Sequence, residues 1–499
     1  MAISDLIKKF GFKEHPFLHV NAEAERGLKE YFIEPANFSF ILDGIKTSSA
    51  IVSGERGTGK TALSLELINK LNNNKENLVV HITDFENINE EYDQNDLYSL
   101  IVSKISEKFF LHCAKNNATL WGYNKNDRLQ LSWYKYKYQQ SITNNYLQEE
   151  ILKIQHFFLK RWIFNIYNFF RGVLDYGLKS TILIFSDVVS RHFVSLPPLD
   201  NEKSYFKKVN IPVDLDFINL KAKTSFSEIE KICKLITKKR IIKNIYIVFD
   251  KIDEDARFQN DVEKIAKFIK PMCNNNKILI NDFNLYTLLF TWSAPFNYIK
   301  SEVRTQKIVF QTMAWNDELL KEVLETRIKL FSENKTGINE LFDNPNRSLN
   351  LILSMCNKNP RDLFGIIKAI MDVQSEIYPE DKLSDVAVNK GINNFVRNFN
   401  YYEYYPRKSN ARKDSMDIYK YFNHLKKLKD IFCNNFRFTK NQLTEYAKTG
   451  SSTPNYITGM ERINLIRATN EKSNGGILYE IIDPKITYAI ENDLDISEP

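Results

Sequence analysis

The chain has 499 residues, 43% hydrophobic and 26% charged, ordinary for a globular protein and enough for about two to four domains. Its net charge of +7 permits contact with a polyanion only where basic residues cluster. The five cysteines form no C-x-x-C pair and the seven histidines are scattered, which argues against a disulfide framework or a zinc site.

Glu23 to Tyr31 and Phe38 to Asp43 read as helices. Ala50-Ile51-Val52 is a short apolar strand. It is followed by Gly54-Glu55-Arg56-Gly57-Thr58-Gly59-Lys60-Thr61, which satisfies G-x-x-x-x-G-K-[ST], and then by an apolar-periodic helix from Ala62 to Ile68. A chance glycine-rich turn would lack that strand–loop–helix setting. Glycines let the backbone wrap phosphate oxygens, and the helix opening at Lys60 adds its positive end. The pattern implies a nucleoside triphosphate, expected to be ATP, contacted by Gly54 through Ala62. Lys60 would reach the β- and γ-phosphates, and Thr61 would hold Mg²⁺.

Leu78 to Ile82 is a second strand. From 96 to 227 the sequence turns aromatic and apolar-periodic, with Trp133 to Tyr138 and His156-Phe157-Phe158. A helical insertion is expected there. A partner-binding role is one reading; aromatic stripes at helical spacing favour added packing. The most apolar stretch, 157–189, is broken by Lys160, Arg161, Asp175 and Asp187, so no membrane span is expected. The N-terminus lacks the long apolar core of a signal peptide, and the lone cysteines read as buried reduced thiols, so a cytoplasmic chain is expected.

After a helix from Glu228 to Lys239, Asn244 to Asp250 has buried-strand character. Asp250 at its end is placed to hold Mg²⁺. The position after it, where many ATPases carry a second acid, is Lys251. The water-orienting role therefore passes to Asp253 or Glu254, with Asp253 preferred. A helix from Val262 to Phe268 leads to a strand, Leu285 to Thr291. At its end Thr291 or Ser293 could contact the γ-phosphate or the water; periodicity does not choose. A further strand, Lys307 to Phe310, completes a parallel, helix-covered sheet.

Helical periods resume over 317–331 and 349–373. Asn359-Pro360-Arg361 opens a helix with proline in its first turn. The fork-shaped Arg361 suits a γ-phosphate, although it could equally pair with a surface acid. Tyr401 to Lys413 reads as a polar, basic linker. Beyond it come an amphipathic helix from Ile418 to Phe432, a Thr439-capped helix from Asn441 to Lys448 and a helix to about Ile463 with Thr453 as N-cap and Pro454 in its first turn. A hairpin from Leu465 to Ile482 completes the pattern of a winged helix. DNA could bind through residues 400–499, with Arg462, Lys472 and the Arg407 to Lys413 cluster near phosphates. The face Asn455, Tyr456, Thr458, Glu461, Arg462 is not strongly basic, which keeps protein contact nearly level with DNA.

Taken in order, the phosphate loop, Asp250-x-x-Asp253-Glu254, Thr291-Trp292-Ser293, the run from Ala314 to Leu320 before a helix carrying Arg327, and Asn359-Pro360-Arg361 resemble AAA-like and STAND-like P-loop ATPases. The origin-recognition-like and KAP-like bacterial branches are the most similar. Asn21 to Glu25 and Tyr31 to Pro35 resemble a bacterial P-loop ATPase group often encoded beside defence genes. The likeness covers about 10–95 and 228–375. It implies an α/β core with a helical lid, Arg361 as sensor arginine, and a setting in antiphage defence. Lys251 departs from the family pattern, and Arg304 is the nearest candidate for a trans-acting finger.

The expected organisation is an N-terminal segment and first half of the ATPase core over 1–95, the insertion over 96–227, the second half over 228–315, a lid over 316–398, a linker over 399–413 and the winged helix over 414–499. The expected function is an ATP-hydrolysing switch that controls its own assembly or a partner effector. An ATP-dependent DNA-binding protein and a nucleotide-binding scaffold with little turnover are the alternatives.

Overall fold

A computed structural model describes residues 3–18, 22–23, 28–115, 123–124, 127, 130–131, 134, 138, 224–377, 382–405, 417–432, 435–473 and 476–496. Five strands, β1 (Ala50–Gly54), β2 (Asn77–Ile82), β3 (Asn244–Phe249), β4 (Leu285–Trp292) and β5 (Val309–Thr312), form one sheet in the order β2-β3-β4-β1-β5. β1 pairs in parallel with β4, Ser53 opposite Thr291, and with β5, Ser53 opposite Thr312. All five β1 residues are buried, as expected for a strand inside a parallel sheet covered on both faces.

By contact density the chain divides into two compact units, Met1–Leu67 with Phe249–Asn274 and Leu288–Pro499, and Ile68–Val248 with Asn275–Thr287. In the second, the helices Gln94–Lys115 and Phe226–Thr237 carry its apolar packing. Tyr123 donates to the Leu235 carbonyl at 3.0 Å, and Asp127 pairs with Lys238 at 2.7 Å. Of the expected insertion, Trp133, His156 to Phe158 and all of 139–223 lie outside the described residues.

The first unit holds the phosphate loop and the start of its helix, Lys60–Asn72. A run of helices follows β5: Asp317–Phe331, Ile338–Leu341, Pro345–Met355, Pro360–Ile377 and Asp385–Asn398. Their starts are written locally. Asn316 accepts from the Leu319 N–H and Ser384 from the Ala387 N–H, satisfying amides the helix cannot. One apolar core runs through these helices and into the C-terminal module, joining Leu324, Leu363, Ile366 and Ile370 to Tyr421, Phe438 and Ile486. Gly391 is where two of the helices meet; a Cβ there would lie 2.6 Å from the Ile370 Cα. Gly391→Val is therefore expected to cost about 1–3 kcal/mol by overpacking, read as a lower denaturant midpoint.

The C-terminal module has the expected winged-helix order. Helices Ile418–Lys426, Lys440–Tyr446 and Thr453–Arg462 are joined by β6 (Arg437–Thr439) and followed by the hairpin β7 (Ile466–Ser473) and β8 (Gly476–Ile481), with the sheet ordered β6-β8-β7. Thr439 forms a capping box with Gln442. Thr453 is not the cap expected of it. It lies inside the helix, its hydroxyl 2.6 Å from that of Thr449, because a 3₁₀ turn, Gly450–Ser452, already begins the coiling.

Other expectations change too, among them the helix from Ile418, which ends at Lys426 rather than Phe432, with Lys429–Ile431 turning as 3₁₀. The N-terminal helix is seen only as Leu28–Tyr31, with 24–27 outside the described residues. The helix after β3 runs on past Phe268 to Cys273, with Pro271 inside its last turn. β5 starts at Val309, since Thr305–Lys307 turns as 3₁₀. Most notably, the expected linker begins as a packed element: Tyr401–Tyr404 is a short helix, with Tyr401 and Tyr405 buried. Aromatic rings outweigh a polar reading there. The Arg407 to Lys413 cluster lies outside the described residues. Among the described residues no helix is long and apolar enough to cross a membrane.

Candidate nucleotide site

At the end of β1 the chain turns through Gly57 (φ +81°) and Gly59 (φ +84°), left-handed conformations that strain any side chain. A Cβ on Gly57 would also lie 2.5 Å from Asn359 Oδ1. Thr58 Oγ1 donates to the Glu55 carbonyl at 2.7 Å, closing the loop internally. From outside, Trp315 Nε1 donates to the Thr58 carbonyl at 2.9 Å and Asn359 Nδ2 to the Arg56 carbonyl at 2.6 Å. The Arg361 N–H faces the Gly57 carbonyl at 3.4 Å. These bonds occupy loop carbonyls, so the loop is held in shape from its outer side.

A cleft of 980 Å³ opens beside the loop, lined by Gly57, Gly59, Lys60, Thr61 and Ala62 together with Asp250, Asp253, Glu254 and Arg361. That volume suits a cofactor-sized ligand. The lining also includes Tyr31, Ile33, Pro35, Val323 and Phe364, apolar surface fitted to a flat heterocycle, with the Arg327 guanidinium 4.4 Å from the Phe364 ring centroid. Apolar and charged residues thus share the lining, which suits a ligand with one apolar end and one anionic end.

Lys60 is nearly buried, its ammonium donating to the Gly54 and Glu55 carbonyls at 3.1 and 3.0 Å. Burial lowers its pKa, opposed by Asp253, Asp250 and Glu55. Asp250 is 1% exposed; its Oδ2 accepts from Ser64 at 2.6 Å and its Oδ1 from the Lys251 N–H at 2.9 Å. Burial raises its pKa against those bonds. Thr61 and Asp250 line the same cleft with an oxygen each, a donor set suited to a hard cation. Among the described residues no group of three His, Cys, Asp or Glu forms a metal cluster, so phosphate and water would complete such a shell.

Arg56 is the hub of the site. Its Nε donates to Asp253 Oδ2 at 3.0 Å and its Nη2 to the Asp253 carbonyl at 2.6 Å. Its Nη1 reaches Asn260 Oδ1 and the Glu403 carbonyl, each at 2.7 Å. The guanidinium lies 4.2 Å from the Trp292 ring centroid. Burial would raise the Asp253 pKa, but Lys60 and Arg56 reverse it and hold the carboxyl below its usual range. Glu254 is raised, by burial against Lys251. Lys251 adopts φ +63° and pairs with Glu23 and, at 3.7 Å, with Glu254, so the site where many ATPases place an acid holds a partnered cation.

Lys60, Thr61, Asp250, Asp253, Glu254 and Arg361 thus come together around one cleft. Thr291 does not join them. It is 2% exposed, its hydroxyl turned to the Trp292 carbonyl at 3.4 Å, and neither it nor Ser293 lines the cleft. β4 ends one residue later than the sequence pattern suggested, which keeps Thr291 within the strand. Arg304 is exposed and also outside the lining. Sequence reading missed the clamping by Trp315 and Asn359 and the reach of Arg56, since each depends on partners distant in sequence.

No protein-family model matches the chain, and no curated protein matches it. Among solved structures it is similar to the ORC2 protein of Aeropyrum pernix in ADPNP–ADP complexes, at 13% identity over 97% of this chain and 98% of that one, with a TM-score of 0.43. It is also similar to the Aeropyrum pernix ORC1 protein in complex with DNA, at 10% identity over 95% and 97%, TM-score 0.36. A third is Cdc6p from Pyrobaculum aerophilum, at 10% identity over 98% and 99%, TM-score 0.29.

Proposed function

We propose that the chain binds ATP with Mg²⁺ in the cleft beside Gly54 to Ala62 and works as a slowly hydrolysing switch. One observation carries this reading: the phosphate loop is preformed, with its carbonyls already bonded and its glycines opening on a cleft that also contains Thr61, Asp250 and Arg361. Loop amides and the first turn of the Lys60–Asn72 helix would bind phosphate oxygens. Lys60 would exchange its two carbonyl partners for β- and γ-oxygens. Thr61 and Asp250 would hold Mg²⁺, which when bound neutralises phosphate charge. Arg361 would read the γ-phosphate, and Asp253 or Glu254 would orient the attacking water.

Turnover is expected to be slow because Lys251 stands where a second acid is usual and Asp253 already serves Arg56. The lid over 316–398 and the winged helix over 414–499 would convert nucleotide state into assembly or into contact with an effector. An antiphage setting rests on the N-terminal resemblance alone. Asp253→Asn is expected to leave ATPγS affinity within about threefold and to lower steady-state turnover by roughly 10²-fold, the scale of one acid–base contribution. ATP hydrolysis unchanged in both Asp253→Asn and Lys60→Ala would contradict the reading.

The helix–turn–helix and hairpin favour a second reading, contact with duplex DNA. Pro454, Asn455, Thr458, Glu461 and Arg462 are exposed on the helix Thr453–Arg462, and Lys472 is exposed on the hairpin. If DNA is the partner, affinity falls as salt rises, and Lys472→Ala lowers the log–log salt slope by about 0.9. Binding to duplex DNA that ignores salt would count against it.

A further inference from the structure

We infer that Lys485, at the start of the C-terminal helix Pro484–Glu491, is a positioning residue for Arg361, so that nucleotide discrimination in the cleft depends on how the C-terminal module is seated. This rests on the ATP reading above. Asp362, the residue after Arg361, is 2% exposed and accepts from Lys485 Nζ at 2.8 Å. Lys485 is fully buried and lies 3.4 Å from Asp483 Oδ1. Asp483 Oδ2 accepts from the Tyr405 hydroxyl at 2.7 Å. The Lys485 ammonium also lies 4.7 Å from the Phe399 ring centroid and 5.1 Å from that of Tyr404.

One ammonium therefore joins three elements: the first turn of the lid helix, the Tyr401–Tyr405 segment and the C-terminal helix. The same segment reaches the phosphate loop by another route, through Arg56 to the Glu403 carbonyl and Asn260 to the Tyr402 carbonyl. The surrounding core is apolar and would pack without these charges. Apolar packing tolerates small slides, whereas a buried ammonium between two carboxylates is satisfied in one arrangement. Successive residues on a helix point about 100° apart. Fixing Asp362 inward therefore fixes the rotation that directs Arg361 to the cleft.

The test compares ADP and ATPγS affinities, with Mg²⁺, on the full chain. The wild type is expected to prefer ATPγS and Arg361→Ala to lose that preference. The triple variant Asp362→Asn, Asp483→Asn, Lys485→Met removes every charge of the cluster while keeping its shape. It should bind ADP as the wild type does, yet lose about tenfold of the preference, within the usual range of coupling between sites. Tyr405→Phe removes a single hydroxyl and should lose a smaller part, which serves as the test if the triple variant does not fold. A preference unchanged in either variant, while Arg361→Ala loses it, overturns the inference and leaves ATP binding standing. A wild type that binds neither nucleotide overturns both, whereas one that binds both without preference overturns the inference and leaves ATP binding standing. A preference retained in Arg361→Ala overturns the inference alone.

Discussion

Lys60→Ala is expected to reduce ATP affinity by about a hundredfold or more and to bring hydrolysis to background. In the structure the Lys60 ammonium makes two hydrogen bonds to loop carbonyls. Exchanging them for phosphate oxygens replaces neutral acceptors by anionic ones, so only the difference counts toward affinity. A difference of about 1.4 kcal/mol per bond, ~2.7 kcal/mol in all, corresponds to a hundredfold. The fold should tolerate the change, because the loop keeps its bonds from Trp315 and Asn359. Calorimetric titration with ATPγS checks the affinity, and circular dichroism checks that the fold is kept. An affinity within threefold of wild type would remove Lys60 from the site.

Lys485→Ala is expected to destabilise the first unit by about 3–5 kcal/mol, the cost of leaving buried carboxylates without their cation. Burial alone would lower the Lys485 pKa, but Asp362 and Asp483 more than reverse it, so the pKa is raised. A lysine raised on folding contributes stability that is complete below its unfolded value near 10.4 and is lost only as pH climbs through the folded value. The wild type therefore keeps this contribution throughout the neutral range. Burial already raises the Asp362 pKa in the wild type, and the variant removes the Lys485 ammonium that opposes the rise. The variant's stability should rise as pH falls from neutral toward 5, and more steeply than the wild type's. Denaturant midpoints at two pH values measure both effects. A midpoint within error of wild type would show that the cluster carries no structural load.

The phosphate loop was legible because its chemistry is contiguous: strand, glycines, lysine, threonine and helix follow one another. Asp250 was legible for a similar reason, as an acid ending an apolar strand. The winged helix emerged from local signals, the Thr439 cap and the hairpin turn. What stayed hidden depends on contacts far apart in sequence. The Arg56–Asp253 pair spans 197 positions and Lys485–Asp362 spans 123. Nothing local to Lys485 marks it as buried, since a lysine in the first turn of a short helix reads as solvent-facing. Tyr401 to Tyr405 was read as linker because tyrosine is ambiguous; the Tyr405 ring is buried while its hydroxyl donates to Asp483. Thr291 was placed in the site by strand-end position, and one residue of strand length moved it out.

ATP seated on the loop and read by the lid would leave a footprint in hydrogen–deuterium exchange of the full chain, compared with and without ATPγS and Mg²⁺. Added protection is expected at 54–62, 250–254 and 359–364 together, absent in Lys60→Ala. Protection confined to other segments, or the same protection in Lys60→Ala, would contradict it.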